Sequence, residues 1–224
     1  MAVVRRLPSR VRPDSRVPSS EPLPPEVRTR RLLLRRQHPD DAALINEAID
    51  SSVDHLQASV AWAASAPFPL PVLTARLAAS VADFDAGSEW TYSIFDSPHT
   101  RVLGGAALLP ADEALRALVG PGTIETGYWL RADATGHGFA AEATAHLAEL
   151  AFTRLHAQRV AVCHDPTNVA SGRVPRRLGF RCIASDAALP GRLAADGSVR
   201  PATKVWALEA AARSSLQPWL EAGS

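Results

Sequence analysis

Apolar and polar residues fall into blocks whose period changes at prolines and glycines. Leu32, Leu33 and Leu34 sit between arginines, and this short apolar run predicts a first strand over residues 29–36. His38-Pro39-Asp40-Asp41 then marks a helix start with Asp40 as cap, followed by Ala42, Leu44, Ile45 and Ile49 at near-helical spacing. Two more helices are expected over 52–64 and 73–85, parted by Pro67-Phe68-Pro69-Leu70-Pro71, with Gly87 ending the second. From Trp90 the β-branched and aromatic content predicts strands over 91–95, 102–109 and 123–130, joined at Ser97-Pro98-His99 and Pro121-Gly122 as an antiparallel meander. An alanine-rich helix over 138–155, a strand over 159–164, a short helix over 170–178 and strands over 180–185 and 203–208 complete the pattern, with 190–201 as an exposed loop.

Residues 1–27 are rich in Pro, Arg and Ser and offer no apolar face, so they read as a mobile extension. The domain then spans 28–210, and residues 211–224 form a C-terminal tail. The recurrent arginines leave two readings of the extension open, a solvated tail and an arm for ribosome or nucleic acid. A formal net charge of +1 excludes a global field directed at nucleic acid, a membrane surface or a highly acidic partner. No apolar run approaches the ~20 residues needed to cross a bilayer, and the amino terminus lacks a secretory apolar segment, so a cytoplasmic location and no membrane partner are expected. Cys163 and Cys182 fall in segments that read as neighbouring strands, without an oxidising-compartment signature, and are expected to be buried reduced thiols. The histidines show no metal-ligand spacing, and no metal is expected.

Chemistry concentrates between Glu125 and Ala143, where an apolar strand ends at Leu130 and Gly136 and Gly138 lead into the alanine-rich helix. Such a junction turns several backbone N–H groups and a positive helix end toward one point, which suits a pyrophosphate. The glycines let a diphosphate approach the main chain, and the amides of Gly136, His137, Gly138, Phe139 and Ala140 are the candidate donors. A glycine-rich turn that only caps a helix fits the same residues. A dinucleotide fold fits poorly, because no preceding βαβ unit and no acidic residue about 20 positions further on accompany the glycines.

The order strand, helices, three strands, helix, strand, helix, two strands, together with two motifs, resembles the GCN5-related N-acetyltransferase (GNAT) superfamily. The first motif is Glu125-x-Gly-Tyr-Trp-Leu followed by Gly136-x-Gly138-x-Ala-x-Glu142-Ala143, and the second is Asn168-x-Ala-Ser171-x-Arg-Val-x-x-x-Leu-Gly179-Phe180. As a pair they are similar to the Rim-type branch that acetylates ribosomal-protein amino termini. The resemblance implies an α/β fold with a mixed, mostly antiparallel seven-stranded sheet splayed in the middle and helices on both faces. It also implies acetyl-CoA as cofactor and acetyl transfer to a primary amine, a protein terminus or a small molecule, by direct attack on the thioester.

By the same resemblance the main chain of Trp129 and Leu130 and the side chains of Asn168 and Ser171 contact the pantetheine arm. Glu125 would take a proton from the incoming ammonium through water, as attack needs a free amine lone pair; a purely structural hydrogen bond is the other reading. Ser171 is the candidate proton donor to the thiolate, because the tyrosine that many relatives carry later in this helix is absent. Leu56, Ser59 and Trp62 fall where the branch carries Leu-x-x-Trp-x-x-Trp, so Ser59 and Trp62 are the expected acceptor-binding positions. Two further departures stand out: Asp133 near the pyrophosphate, which would repel it unless turned outward, and Pro175 inside the second motif's helix. A non-catalytic acyl-CoA sensor or interaction module is the alternative function. The sequence leaves the acceptor and the oligomeric state open, a homodimer included.

Overall fold

In the computed structural model, which describes residues 22–58, 60–97, 99–190, 198 and 202–221, the strands are β1 (Glu26–Arg28), β2 (Leu32–Arg36), β3 (Trp90–Asp96), β4 (Val102–Pro110), β5 (Thr123–Leu130), β6 (Arg159–His164), β7 (Arg181–Ala187) and β8 (Thr203–Glu209). They form one sheet in the order β1-β2-β3-β4-β5-β6-β8-β7. Neighbours run antiparallel except β5 and β6, which are parallel. The helices α1 (Ala42–Asp50), α2 (Val53–Gln57), α3 (Leu70–Ala86) and α4 (Glu113–Val119) cover one face. On the other lie α5 (Phe139–Thr153), α6 (Val169–Arg177) and α7 (Gln217–Leu220).

Strand alternation explains this layering. Along β5, Ile124, Tyr128 and Leu130 pack into the cluster that holds α5, whereas Trp129 packs with Ile45, Leu73 and Leu77 of α1 and α3. Along β6, Val160 and Val162 face α5 while Ala161 joins Leu115 of α4. Among the described residues no helix is long and apolar enough to cross a membrane.

The sheet has eight strands rather than seven. The additional one, β1, arises where a mobile extension is expected, and there Leu23 is buried and Tyr92 donates its hydroxyl to the Pro24 carbonyl at 2.9 Å. A three-residue strand is too short to show a period, and it forms only because Val27 pairs with Leu34 across a turn. At the other end Leu216 is buried and Trp219 packs against the main core, so residues 210–220 cover the sheet face beside α5.

The helix expected over 52–64 is broken. Val60 is extended (φ −124°, ψ 118°), and a 3-10 turn over Ala61–Ser65 follows. In α3, Pro71 sits in the first turn, where a missing N–H costs nothing, so the helix begins at Leu70. The two cysteines are not on neighbouring strands, since β8 lies between β6 and β7, and neither thiol is fully buried. The reason is compositional. In β8, Val205, Trp206, Ala207 and Leu208 are buried on both faces, as an inner strand requires, while β7 exposes Arg181, Cys182, Ser185 and Asp186 and so suits the edge.

Candidate active site

The site forms where the sheet opens. Parallel pairing of β5 and β6 runs from Thr123 opposite Arg159 to Thr126 opposite Val162 and stops. Beyond it β5 stays with β4, ending with Leu130 opposite Gly104, and β6 stays with β8, ending with His164 opposite Lys204. The inner backbone of residues 127–130 is thereby left as an edge inside the sheet, able to bond an extended ligand as an added strand.

Just past that edge the chain turns into α5. Gly136 and Gly138 both have φ of +82°, and a Cβ at Gly136 would meet nothing within 4 Å. Gly138 is the N-cap residue of α5 and supplies no side-chain cap. The first-turn amides have no intrahelical acceptor, so they face an open, positively polarised cradle. Its donor chemistry fits a diphosphate.

Asp133 does not compete for this cradle. Its carboxylate is held by Arg101 and by Arg131, whose Nε donates at 2.8 Å. Hydrogen bonding by Arg101, helped by the charges of both guanidinium groups, keeps its pKa below the ordinary range. Arg131 itself is buried, forks onto Glu47 of α1 at 2.8 and 2.9 Å, and reaches Ser51 at 3.0 Å. The Ala132 amide donates to Ser52 Oγ at 3.0 Å, so the loop's entry is tied to the helices of the opposite face.

Its exit is tied to the β1–β2 turn. Glu142, almost wholly buried in the first turns of α5, accepts from Thr29 Oγ1 at 2.6 Å and from the Arg31 amide and Nε at 2.9 and 2.7 Å. Arg31 also donates to the His137 carbonyl at 2.9 Å and lies over the Phe139 ring, which stacks on His137. Burial alone would raise the Glu142 pKa, but the bonds from Thr29 and Arg31 together hold it below the usual value. Sequence reasoning missed Arg31 and gave Glu142 no role, although a carboxylate flanked by alanines in the first turn of a helix is the signal of a buried partner.

Across the opening, Asn168 caps α6, its Oδ1 accepting from the Ser171 amide at 3.0 Å. Ser171 contributes only main chain to that cap. Its carbonyl accepts the Tyr128 hydroxyl at 2.8 Å, and burial pushes that phenol's pKa well above its ordinary value. Beside it His164 is held in one tautomer, Nδ1 donating to the Asp165 carbonyl at 2.7 Å and Nε2 accepting from the Trp206 indole at 3.0 Å.

The residues expected on the acceptor side include Glu125 and Trp62, on the opposite face of β5. Glu125, half-buried, sits between Leu109 of β4 and Ala161 of β6. A Cβ at Gly127, the next residue on that face, would meet nothing within 4 Å, so the floor beside the carboxylate is open. The far wall is aromatic: Trp62 packs edge-on to Trp129 at 5.6 Å and tilted against Phe68 at 6.2 Å. The Trp129 indole is seated on Gly105, where any side chain would collide with it. Ser59, the other expected wall position, lies outside the described residues. Among the described residues no cluster of three or more His, Cys, Asp or Glu side chains could hold a metal ion.

A sheet split between parallel strands, with a glycine-opened helix start at one end of the split, defines an acyl-CoA-dependent transferase. Residues 31–181 match the model of the acetyltransferase (GNAT) domain, and the chain belongs to that family. Its chemistry is therefore acetyl transfer with acetyl-CoA as donor. Among similar solved structures, ribosomal-protein-S5-alanine acetyltransferase from Vibrio fischeri superposes with a TM-score of 0.69 at 16% identity, over 82% of this chain and 96% of that one. RimJ of Mycobacterium smegmatis, in complex with CoA-disulfide, gives 0.67 at 20% identity over 86% and 93%. The microcin C7 self-immunity acetyltransferase MccE, in complex with acetyl-CoA and AMP, gives 0.66 at 18% over 80% and 92%. At such identities the likeness is one of fold. No curated protein sequence matches the chain.

Proposed function

We propose that this chain is an N-acetyltransferase that moves an acetyl group onto a primary amine, carried by a protein amino terminus or a small molecule. Bound acetyl-CoA supplies the acetyl group as a thioester. The amides of residues 136–140 hold its diphosphate, the main chain of Trp129 and Leu130 aligns its pantetheine arm along the open edge of β5, and Asn168 and Ser171 border the arm on the α6 side. Glu125 accepts the ammonium proton through water, leaving the nitrogen lone pair free. Ser171 Oγ donates a proton to the departing sulfur. Trp62 lines the acceptor groove.

The observation that carries this reading is the pairing of a carboxylate with empty space. Glu125 borders the open floor at Gly127, on the face opposite the helix that receives the cofactor, so donor and acceptor reach the split from different sides. Asp133, which would repel a diphosphate unless turned outward, is paired with two arginines. The test is a panel of amines and peptide amino termini offered with acetyl-CoA while free thiol is measured. Steady thiol release with at least one amine is expected. Tight acetyl-CoA binding without turnover on any of them would replace the enzyme by a sensor.

A further inference from the structure

Pro175 and Tyr128 complete each other. In α6 the residue at position 175 would normally donate its N–H to the carbonyl four residues earlier, that of Ser171. Proline has no N–H, and the helix nevertheless continues to Arg177 with Pro175 buried in it. The carbonyl so released accepts the Tyr128 hydroxyl at 2.8 Å, from a residue on the splayed part of β5. A carbonyl left without a partner away from water is costly, so two residues 47 positions apart form one hydrogen-bonding unit.

We infer that Tyr128 is a positioning residue: through the carbonyl that Pro175 leaves unbonded, it ties the first turn of α6 to β5 and so sets where Ser171 Oγ stands relative to the reacting sulfur. The bond bridges the split between the two strands that lodge the cofactor arm. It does so without using the serine hydroxyl, and Asn168 is occupied with the amide of the same residue. Ser171 is thus gripped at both main-chain polar atoms while its side chain remains available. With an ordinary residue at position 175 this carbonyl would also take a bond from within the helix. The inference rests on the proposed role of Ser171 as proton donor.

The test is a set of four variants assayed at saturating acetyl-CoA. Tyr128→Phe is expected to lower kcat about tenfold, the effect of one lost bond to a buried carbonyl. Adding Pro175→Ala supplies the missing N–H but not the tie to β5, so kcat should stay within about threefold of the Tyr128→Phe value. In a Ser171→Ala background Tyr128→Phe should change kcat less than about twofold, because its route of action is gone. An equal fall in both backgrounds, an undiminished kcat in Tyr128→Phe, or recovery of the parent's kcat on adding Pro175→Ala would overturn the inference. Should Tyr128→Phe alone not fold, the double variant carries the test: a folded one with kcat lowered about tenfold supports the inference, and one with the parent's kcat, or one that does not fold, overturns it. If Ser171→Ala by itself turns over at full rate, the proton-donor reading fails. If Ser171→Ala is slow and Tyr128→Phe is not, only the positioning role fails.

Discussion

The two sides of the split sheet are built from opposite materials. On the side of the glycine loop, the proposed cofactor side, the flanking side chains are tied down: Arg131 holds the entry to α1, Arg31 and Glu142 hold the exit to the β1–β2 turn, and Asn168 caps the helix across the gap. On the acceptor side, the walls are aromatic or aliphatic, the floor at Gly127 is bare, and Glu125 is the carboxylate at its edge. The contrast follows from what each must recognise. A diphosphate is charged, so donors already fixed in place raise its affinity by sparing reorganisation on binding. An acceptor groove lined by packed rings sets shape rather than charge pattern, and it can differ between relatives without disturbing the donor.

That contrast is sharpest for variants placed on one side only. Glu125→Gln should lower turnover at neutral pH about 100-fold while acetyl-CoA binding by calorimetry stays within about twofold; undiminished turnover would remove Glu125 as the base. Gly138→Val should do the reverse. A side chain at φ +82° is strained and intrudes on the cradle, so the acetyl-CoA dissociation constant should rise about thirtyfold, equivalent to about 2 kcal/mol. An unaltered constant would mean that the diphosphate lies elsewhere.

Ser171→Ala should reduce kcat about tenfold yet leave stability within about 0.5 kcal/mol, because the cap uses the Ser171 amide and not its hydroxyl. A matching loss of stability would show that the hydroxyl is structural. The smallest effect is on pH dependence. Glu142 has a folded pKa held below 4.5, so the stability it contributes is complete above that value and is lost as pH falls through the depressed one. The melting temperature should therefore begin to drop below about pH 4.5, and less steeply in Glu142→Gln; identical profiles for the two would remove Glu142 from the clamp.

Much of the fold was legible along the chain. The meander of β3, β4 and β5, the α5 helix and β6 appear within a few residues of where period and turn chemistry put them, since each is long enough to show its period. Short elements were not. Three-residue β1 exists only by pairing with β2, and α4 lies in a segment that carries no apolar stripe longer than two turns. Local sequence also left the strand order β6-β8-β7 open, because order depends on which strand can be buried on both faces.

For the site, the glycine pair, Glu125 and the capping Asn168 could be found from residue type and spacing. Their chemistry is local: a helix start, a charge in an apolar strand, a side chain that bonds its own backbone three residues on. Arg31 with Glu142, Arg131 with Glu47, and Tyr128 with the carbonyl freed by Pro175 lie 111, 84 and 43 residues apart, and no period or spacing links them. By itself, then, the amino-acid order determined where the backbone turns, caps and exposes its amides, because those events involve a few consecutive residues. Tertiary structure alone decided that Asp133 faces arginines rather than phosphate and that a proline's missing N–H is answered from another strand. Hydrogen bonds between distant residues form only after packing has brought their partners together.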